Sequence, residues 1–201
     1  MIKLVVGLGN PGREYAETRH NAGFWWVQLL GERLGIGVRL ESRYHGWVGR
    51  GSGGNGDLWL LLPNTYMNAS GRSVAALARF YKIKPEEILV AHDDLDLQPG
   101  QIKMKQGGGT GGHNGLSDIS AVLGSHDYWR MRIGIGHPGV RELVVGYVLQ
   151  RPCAEDLAQI HQAMDRGLEV WPLIEKGDAG AAVMKLHTRP KSDAPAADNT
   201  P

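Results

Sequence analysis

The 201-residue chain holds one cysteine, Cys153, only two phenylalanines, and no apolar stretch near the ~20 residues that cross a bilayer. A lone cysteine cannot close an internal disulfide, and no Cys/His pairs stand at zinc-finger spacing, so the fold has to rest on packing in a reducing compartment. The start MIKLVVGLGN carries one lysine and a short apolar run that ends in a turn, unlike an export signal. These absences predict a soluble, unexported, cytoplasmic protein without a membrane partner. Charge of either sign is also not in excess. Lys and Arg number 22 against 21 Asp and Glu, a formal net charge of +1, so affinity for a polyanion has to come from a local basic patch.

What the chain does have is 42% hydrophobic residues, six tryptophans and 29 glycines without a repeat, enough for one packed domain with many tight turns. Residues 1–187 read as that domain, and TRPKSDAPAADNTP, residues 188–201, as a disordered tail. Ile2 to Gly7 is a continuous apolar run stopped by Asn-Pro-Gly, the pattern of a buried strand, and the spacing predicts a helix over Ala22 to Leu34 that Asn21 caps. Strands are predicted over Val38 to Gly49, Leu58 to Leu62, Ile88 to Ala91, Gln101 to Lys105 and Tyr128 to Ile135. Helices are predicted over Ser70 to Lys82 and Asn114 to Leu123, and one long stripe runs from Glu155 to Lys176. The alternation predicts an α/β single-domain three-layer sandwich, a mixed, mostly parallel sheet with helices on both faces, whose ligands bind beyond the carboxyl ends of strands.

Polar motifs cluster at those strand ends. GGGTGGHNGL, Gly107 to Leu116, is too rich in glycine to serve packing and suits a backbone that approaches a ligand closely. Gly7 to Gly12 formally matches a dinucleotide fingerprint, but Pro11 and the polar excursion Arg13 to His20 separate it from the helix whose amides would hold a pyrophosphate, which argues against a nicotinamide oxidoreductase. His20 beside the start of a helix and Asp93 at a strand end each have a bland reading as caps. Together they make an imidazole oriented by a carboxylate, a general base for water. No G-x-S-x-G elbow offers a covalent nucleophile, and no H-x-H or H-E-x-x-H spacing supports a metal. Asn10, Asn68 and Asn114 bring neutral amides that both donate and accept, suited to a peptide-like group and an oxyanion, with Tyr66 and Met67 as an apolar wall. Lys103 with Lys105, and Arg130 with Arg132, share strand faces and could clamp phosphate.

Four ordered segments, VVGLGNPGREYAETRHNAGF, PNTYMNASG, ILVAHDDLDLQPGQIKMKQGGGTGGHNGL and WRMRIGIGHPG, resemble the bacterial peptidyl-tRNA hydrolase family. The resemblance implies hydrolysis, without a cofactor, of the ester joining a peptide to the 3′ ribose of tRNA. The implied partner is peptidyl-tRNA, held at its acceptor stem and 3′ CCA end, and the implied state is a monomer with no obligate protein partner. It places the catalytic base on His20 and its supporting acid on Asp93. Peptidyl binding falls on Asn10 and Asn68, positioning of water or substrate on Asn114, and substrate contact at the mouth of the site on His113. The tRNA phosphate clamp falls on Lys105 and Arg132. Asp96 to Gly100 and the segment His137 to Tyr147 would be mobile rims. The alternative is a non-catalytic RNA-binding module on the same fold, since plant organelle splicing factors also resemble this family and a scaffold does not by itself fix activity.

Overall fold

The computed structural model describes residues 1–54 and 56–188. The chain opens with β1 (Leu4–Gly7) and α1 (Ala22–Leu34), then β2 (Arg39–Glu41), β3 (Gly46–Gly53), β4 (Gly56–Pro63) and α2 (Ser70–Phe80). There follow β5 (Ile88–Asp94), β6 (Ile102–Gln106), α3 (Asn114–Leu123) and β7 (Trp129–Gly134). Four helices end it: α4 (Val144–Val148), α5 (Ala154–Glu169), α6 (Trp171–Glu175) and α7 (Ala179–His187). Seven strands form one sheet in the order β2-β3-β4-β1-β5-β7-β6. The central run β4-β1-β5-β7 is parallel, while β2-β3, β3-β4 and β6-β7 pair antiparallel. The sheet is therefore mixed as expected, but only half of its pairings are parallel, because antiparallel partners extend it on both sides, β3 and β2 beyond β4 and β6 beyond β7.

Strand alternation distributes side chains to two cores. Val5, Leu60 and Leu89 face a layer holding Trp26 of α1, Ile160 and Met164 of α5, Trp171 of α6 and Ala182 of α7. Leu4, Val6, Leu61 and Val90 face Val74 and Leu77 of α2 and Leu116 and Ile119 of α3. Helices thus cover both faces, the arrangement that parallel strands buried on both sides require. α1 lies so close to the sheet that a Cβ on Gly23 would collide with the carbonyl of Ala91 and with the backbone of Leu8. The contact is backbone on backbone, reinforced where the Phe24 amide donates to Leu8 O at 3.1 Å and the Leu8 amide to Ala91 O at 3.0 Å.

Several local expectations need correction. The predicted strand Val38 to Gly49 is two strands, since a 3-10 turn at Ser42–Tyr44 and a left-handed His45 (φ 51°) reverse the chain. The stripe Glu155 to Lys176 is broken before α6, where Pro172 cannot continue the α5 ladder. Asn21 occupies the position before α1 but its side chain does not cap the helix. The predicted tail lies outside the described residues from residue 189 onward. No helix among the described residues is long and apolar enough to cross a membrane.

Candidate active site

β1 and β5 run parallel and in register, Gly7 opposite Ala91, so the residues that follow both strands open at one end of the sheet. The loop after β1 returns through a 3-10 turn, Arg19–Asn21, at the foot of α1, which sets His20 against Asp93 on β5. Asn21 locks this return. Its amide side chain accepts from the Asn10 N–H at 2.9 Å and donates to the Asn10 carbonyl at 3.0 Å, as a neighbouring strand would. The sequence presents Asn21 as a cap; only the fold reveals it as a clasp.

Asp93 is buried and holds two histidines. His20 Nδ1 lies 3.0 and 2.9 Å from its two carboxylate oxygens, and His113 Nε2 lies 2.8 Å from Oδ1. His113 Nδ1 accepts from the amides of Gly115 and Leu116 at the start of α3, at 3.1 and 3.4 Å, so its proton sits on Nε2 and is donated to Asp93. His20 likewise donates through Nδ1, which leaves the lone pair of its neutral ring on Nε2. With both nitrogens engaged and its side chain almost enclosed, His113 holds the acid and caps a helix as well as lining the cleft.

The electrostatics follow from this arrangement. Burial alone would lower the pKa of His20, but the charge of Asp93 and its hydrogen bond outweigh burial and raise it. Burial alone would protonate Asp93, yet the two imidazoles hold its pKa well below the carboxylate range. Neighbouring His92 is fully enclosed; burial and then the proximity of His113 push it down to about 4, so it stays neutral, with Nδ1 donating to the Asp93 carbonyl at 2.7 Å. His20, Asp93 and His113 also bring ligand-type atoms within 4.8 Å of one another. A cation there would have to displace both N–H protons from Asp93, so the donor set fits a hydrogen-bonded carboxylate better than a metal centre.

These groups line a cleft of about 1050 Å³ that also includes Asn10, Tyr66, Asn68, Asn114, Lys105 and Arg132. The fold brings all nine expected site residues to one cavity. Asn10 Oδ1 accepts from the Met67 amide at 2.7 Å, which turns its NH2 group into the available half. Asn68 and Asn114 are exposed in the cleft, and Tyr66, 63% exposed, stands edge-on to Tyr15 at 6.5 Å. The glycine loop earns its composition: Gly107, Gly108, Gly111 and Gly112 all have φ between 59° and 94°.

Of the four cations of β6 and β7, Lys103 does not line the cleft and the other three divide by role. Arg130 is buried and ties down the loop by donating to the carbonyls of Gly108 and Gly109, while Arg132 pairs with Asp94 at 2.7 Å. Lys105 lines the cleft, its pKa lowered by partial burial and by Arg132 and Arg130. The opposite wall is Val144, Val145, Val148 and Leu149 around α4; the rim His137 to Tyr147 implied by the family resemblance includes the first two, while Val148 and Leu149 lie beyond it. A helix of five residues carries no period that separates a cleft wall from a core.

Residues 4–194 match the family profile described as peptidyl-tRNA hydrolase. The peptidyl-tRNA hydrolase of Nitrosospira multiformis is 58% identical over 191 residues, covering 95% of this chain and all of the relative. That of Thiobacillus denitrificans is 56% identical over 199 residues, covering 99% and 96% of the two. The crystal structure of peptidyl-tRNA hydrolase from Acinetobacter baumannii superposes with a TM-score of 0.89 at 48% identity, over 92% of this chain and 94% of that one. A hydrolytic α/β fold of this kind, with a His–Asp pair at the strand ends, has a defined place among known proteins. The chain belongs to the peptidyl-tRNA hydrolase family.

Proposed function

We propose that this chain hydrolyses the ester between a peptide, or an N-blocked aminoacyl group, and the 3′ ribose of tRNA, releasing tRNA for recharging. The single observation that best supports this reading is Asp93 held between His20 and His113 at the floor of the cleft. Asp93 fixes the tautomer in which His20 Nε2 carries the lone pair, and it stabilises the imidazolium that forms when Nε2 takes a proton from water. The resulting hydroxide equivalent attacks the ester carbonyl. The NH2 group of Asn10, whose oxygen is already engaged, suits the role of donor to the developing oxyanion or to the adjacent peptide carbonyl. Collapse of the tetrahedral intermediate breaks the bond to the ribose oxygen, which takes the proton back from His20. The products are a free peptide acid and a tRNA 3′ hydroxyl.

Asn68 and Asn114 are open in the cleft and fit the peptide group and the attacking water. They also account for selectivity: a free aminoacyl ester brings a charged amine where the amides would pair with a peptide bond, leaving them unsatisfied. Lys105 and Arg132 fit the phosphates of the acceptor stem, Arg132 exchanging its bond to Asp94 for one to phosphate or sharing it. The state we expect is a cytoplasmic monomer. To test the reading, deacylation of N-acetyl-aminoacyl-tRNA and of its unblocked counterpart is followed with the wild type and His20→Ala. Release from the blocked substrate alone, lost in the variant, is expected; binding without release would make the chain an RNA-binding module.

A further inference from the structure

Arg19 immediately precedes the base, in the same 3-10 turn, and is buried at 7% exposure. Its guanidinium has no carboxylate within salt-bridge distance among the described residues. Nη1 instead donates to the carbonyls of Tyr147 at 3.1 Å and Gln150 at 3.4 Å, the group stacks over the Tyr147 ring at 3.9 Å, and the Arg19 amide donates to Gln150 O at 3.0 Å. Nε is buried without a partner. A buried cation lacking a counter-ion is costly, and a methionine of similar length would fill the space without that cost. What the guanidinium does here is satisfy one carbonyl in the last turn of α4 and one just beyond it, where a helix end favours positive charge.

α4 needs that support. Five residues are far too few for a helix to hold itself, so its position is set by what it is tied to. One tie is Arg19; the other is the Tyr147 hydroxyl, which donates to Ile135 O just beyond β7 at 2.6 Å. On its other side the same helix presents Val144, Val145 and Val148 to the cleft, Val145 at 71% exposure. The helix that would meet the acyl chain and the turn that carries His20 therefore share one side chain.

We infer that Arg19 is a positioning residue that couples the α4 wall to His20, so that the seating of the acyl group against the valines and the aim of the base are set together. This rests on the hydrolase reading above. The contribution falls on turnover rather than on tRNA affinity, because Lys105 and Arg132 lie on β6 and β7 and owe nothing to the turn.

The test compares Arg19→Met and Arg19→Lys with wild type on N-acetyl-aminoacyl-tRNA, together with amide hydrogen exchange over residues 144–150. Arg19→Met is expected to lower kcat on the order of 10²-fold with KM within about threefold, as expected for a misplaced reacting group. Exchange over residues 144–150 should accelerate. Arg19→Lys, which keeps the charge but not the fork, is expected to recover part of the rate, and ethylguanidinium should raise turnover of Arg19→Ala. Unchanged kcat in Arg19→Met, or slowed turnover without altered exchange in α4, overturns the coupling. If Arg19→Met does not fold, Tyr147→Leu removes the ring stacked under the guanidinium and the second anchor to Ile135 while the carbonyl contacts remain, and must show a kcat-weighted loss of the same kind. A wild type that fails to hydrolyse would sink the hydrolase reading, while the exchange comparison would still test the tie itself.

Discussion

The two walls of the cleft are built on opposite plans. On the sheet side, Asn10, His20 and Asp93 are placed by paired strands and by an asparagine clasp that leaves the Asn10 backbone no freedom. On the far side, α4 lines the cleft with three valines, of which Val145 is exposed, Val144 half-buried and Val148 buried, on a single turn and a half anchored by Arg19 and Tyr147. The first plan suits chemistry, where tenths of an ångström matter. The second suits a surface that meets peptides of differing side chain, where adaptable apolar contact is enough.

Substitutions should separate the two walls. The largest effect is expected at His20→Ala, a loss of turnover on the order of 10²- to 10⁴-fold with substrate binding retained; rates near wild type would remove His20 from the base role. Asp93→Asn should come next, because an amide cannot stabilise the imidazolium, and it should also change the pH profile. With Asp93 raising the His20 pKa, the neutral base is lost as pH falls, so the acid limb of kcat/KM should lie above the ordinary histidine value of about 6.5. In Asp93→Asn only burial remains and the limb should move to lower pH; a limb that stays in place would mean that another group titrates. On the helical wall, Val145→Asp should raise KM for long-chain peptidyl esters by roughly tenfold, about 1.4 kcal/mol, with little change in kcat on saturation. The smallest effect belongs to Lys105→Ala: weaker tRNA affinity, with a salt slope shallower by about 0.7 to 0.9, and unchanged cleavage of short ester mimics. Equal losses on both substrates would contradict a phosphate contact.

The same contrast explains what could be read from the chain beforehand. α1 and α3 have the bounds that their patterns predict, each closed by a left-handed glycine, Gly35 and Gly124, both at φ 67°. His20, Asp93 and the three asparagines stood out because polar residues at the ends of apolar runs are poor at packing and need another reason to be there. The residues of α4 mark no site by themselves, and only the family resemblance places the stretch up to Tyr147 at a rim of the cleft, since Val-Val-Gly-Tyr-Val has the composition of buried strand as much as of exposed helix. The second grip on Asp93 was equally hidden: His113 is adjacent to a glycine loop in sequence, and only the pairing of β5 with β7 and the return of α3 bring it to the acid. Long-range hydrogen bonds of this kind leave no local periodicity. The half-antiparallel sheet has the same origin, because a turn such as Ser42–Tyr44 reverses direction without breaking the apolar pattern around it.

The close seating of α1 on the sheet at Gly23 bears on how this enzyme scaffold can change. The separation of His20 from Asp93 is measured out in main chain, with no side chain between helix and strand to swell, shrink or re-pack. Volume changes in the core beneath α5 can be absorbed by Ile160, Met164 and their neighbours without reaching the dyad. The gauge has its weak points at Gly7 and Gly23, and a single methyl group at either residue would reset it, forcing helix from strand and drawing His20 from Asp93 while every residue lining the cleft remained intact.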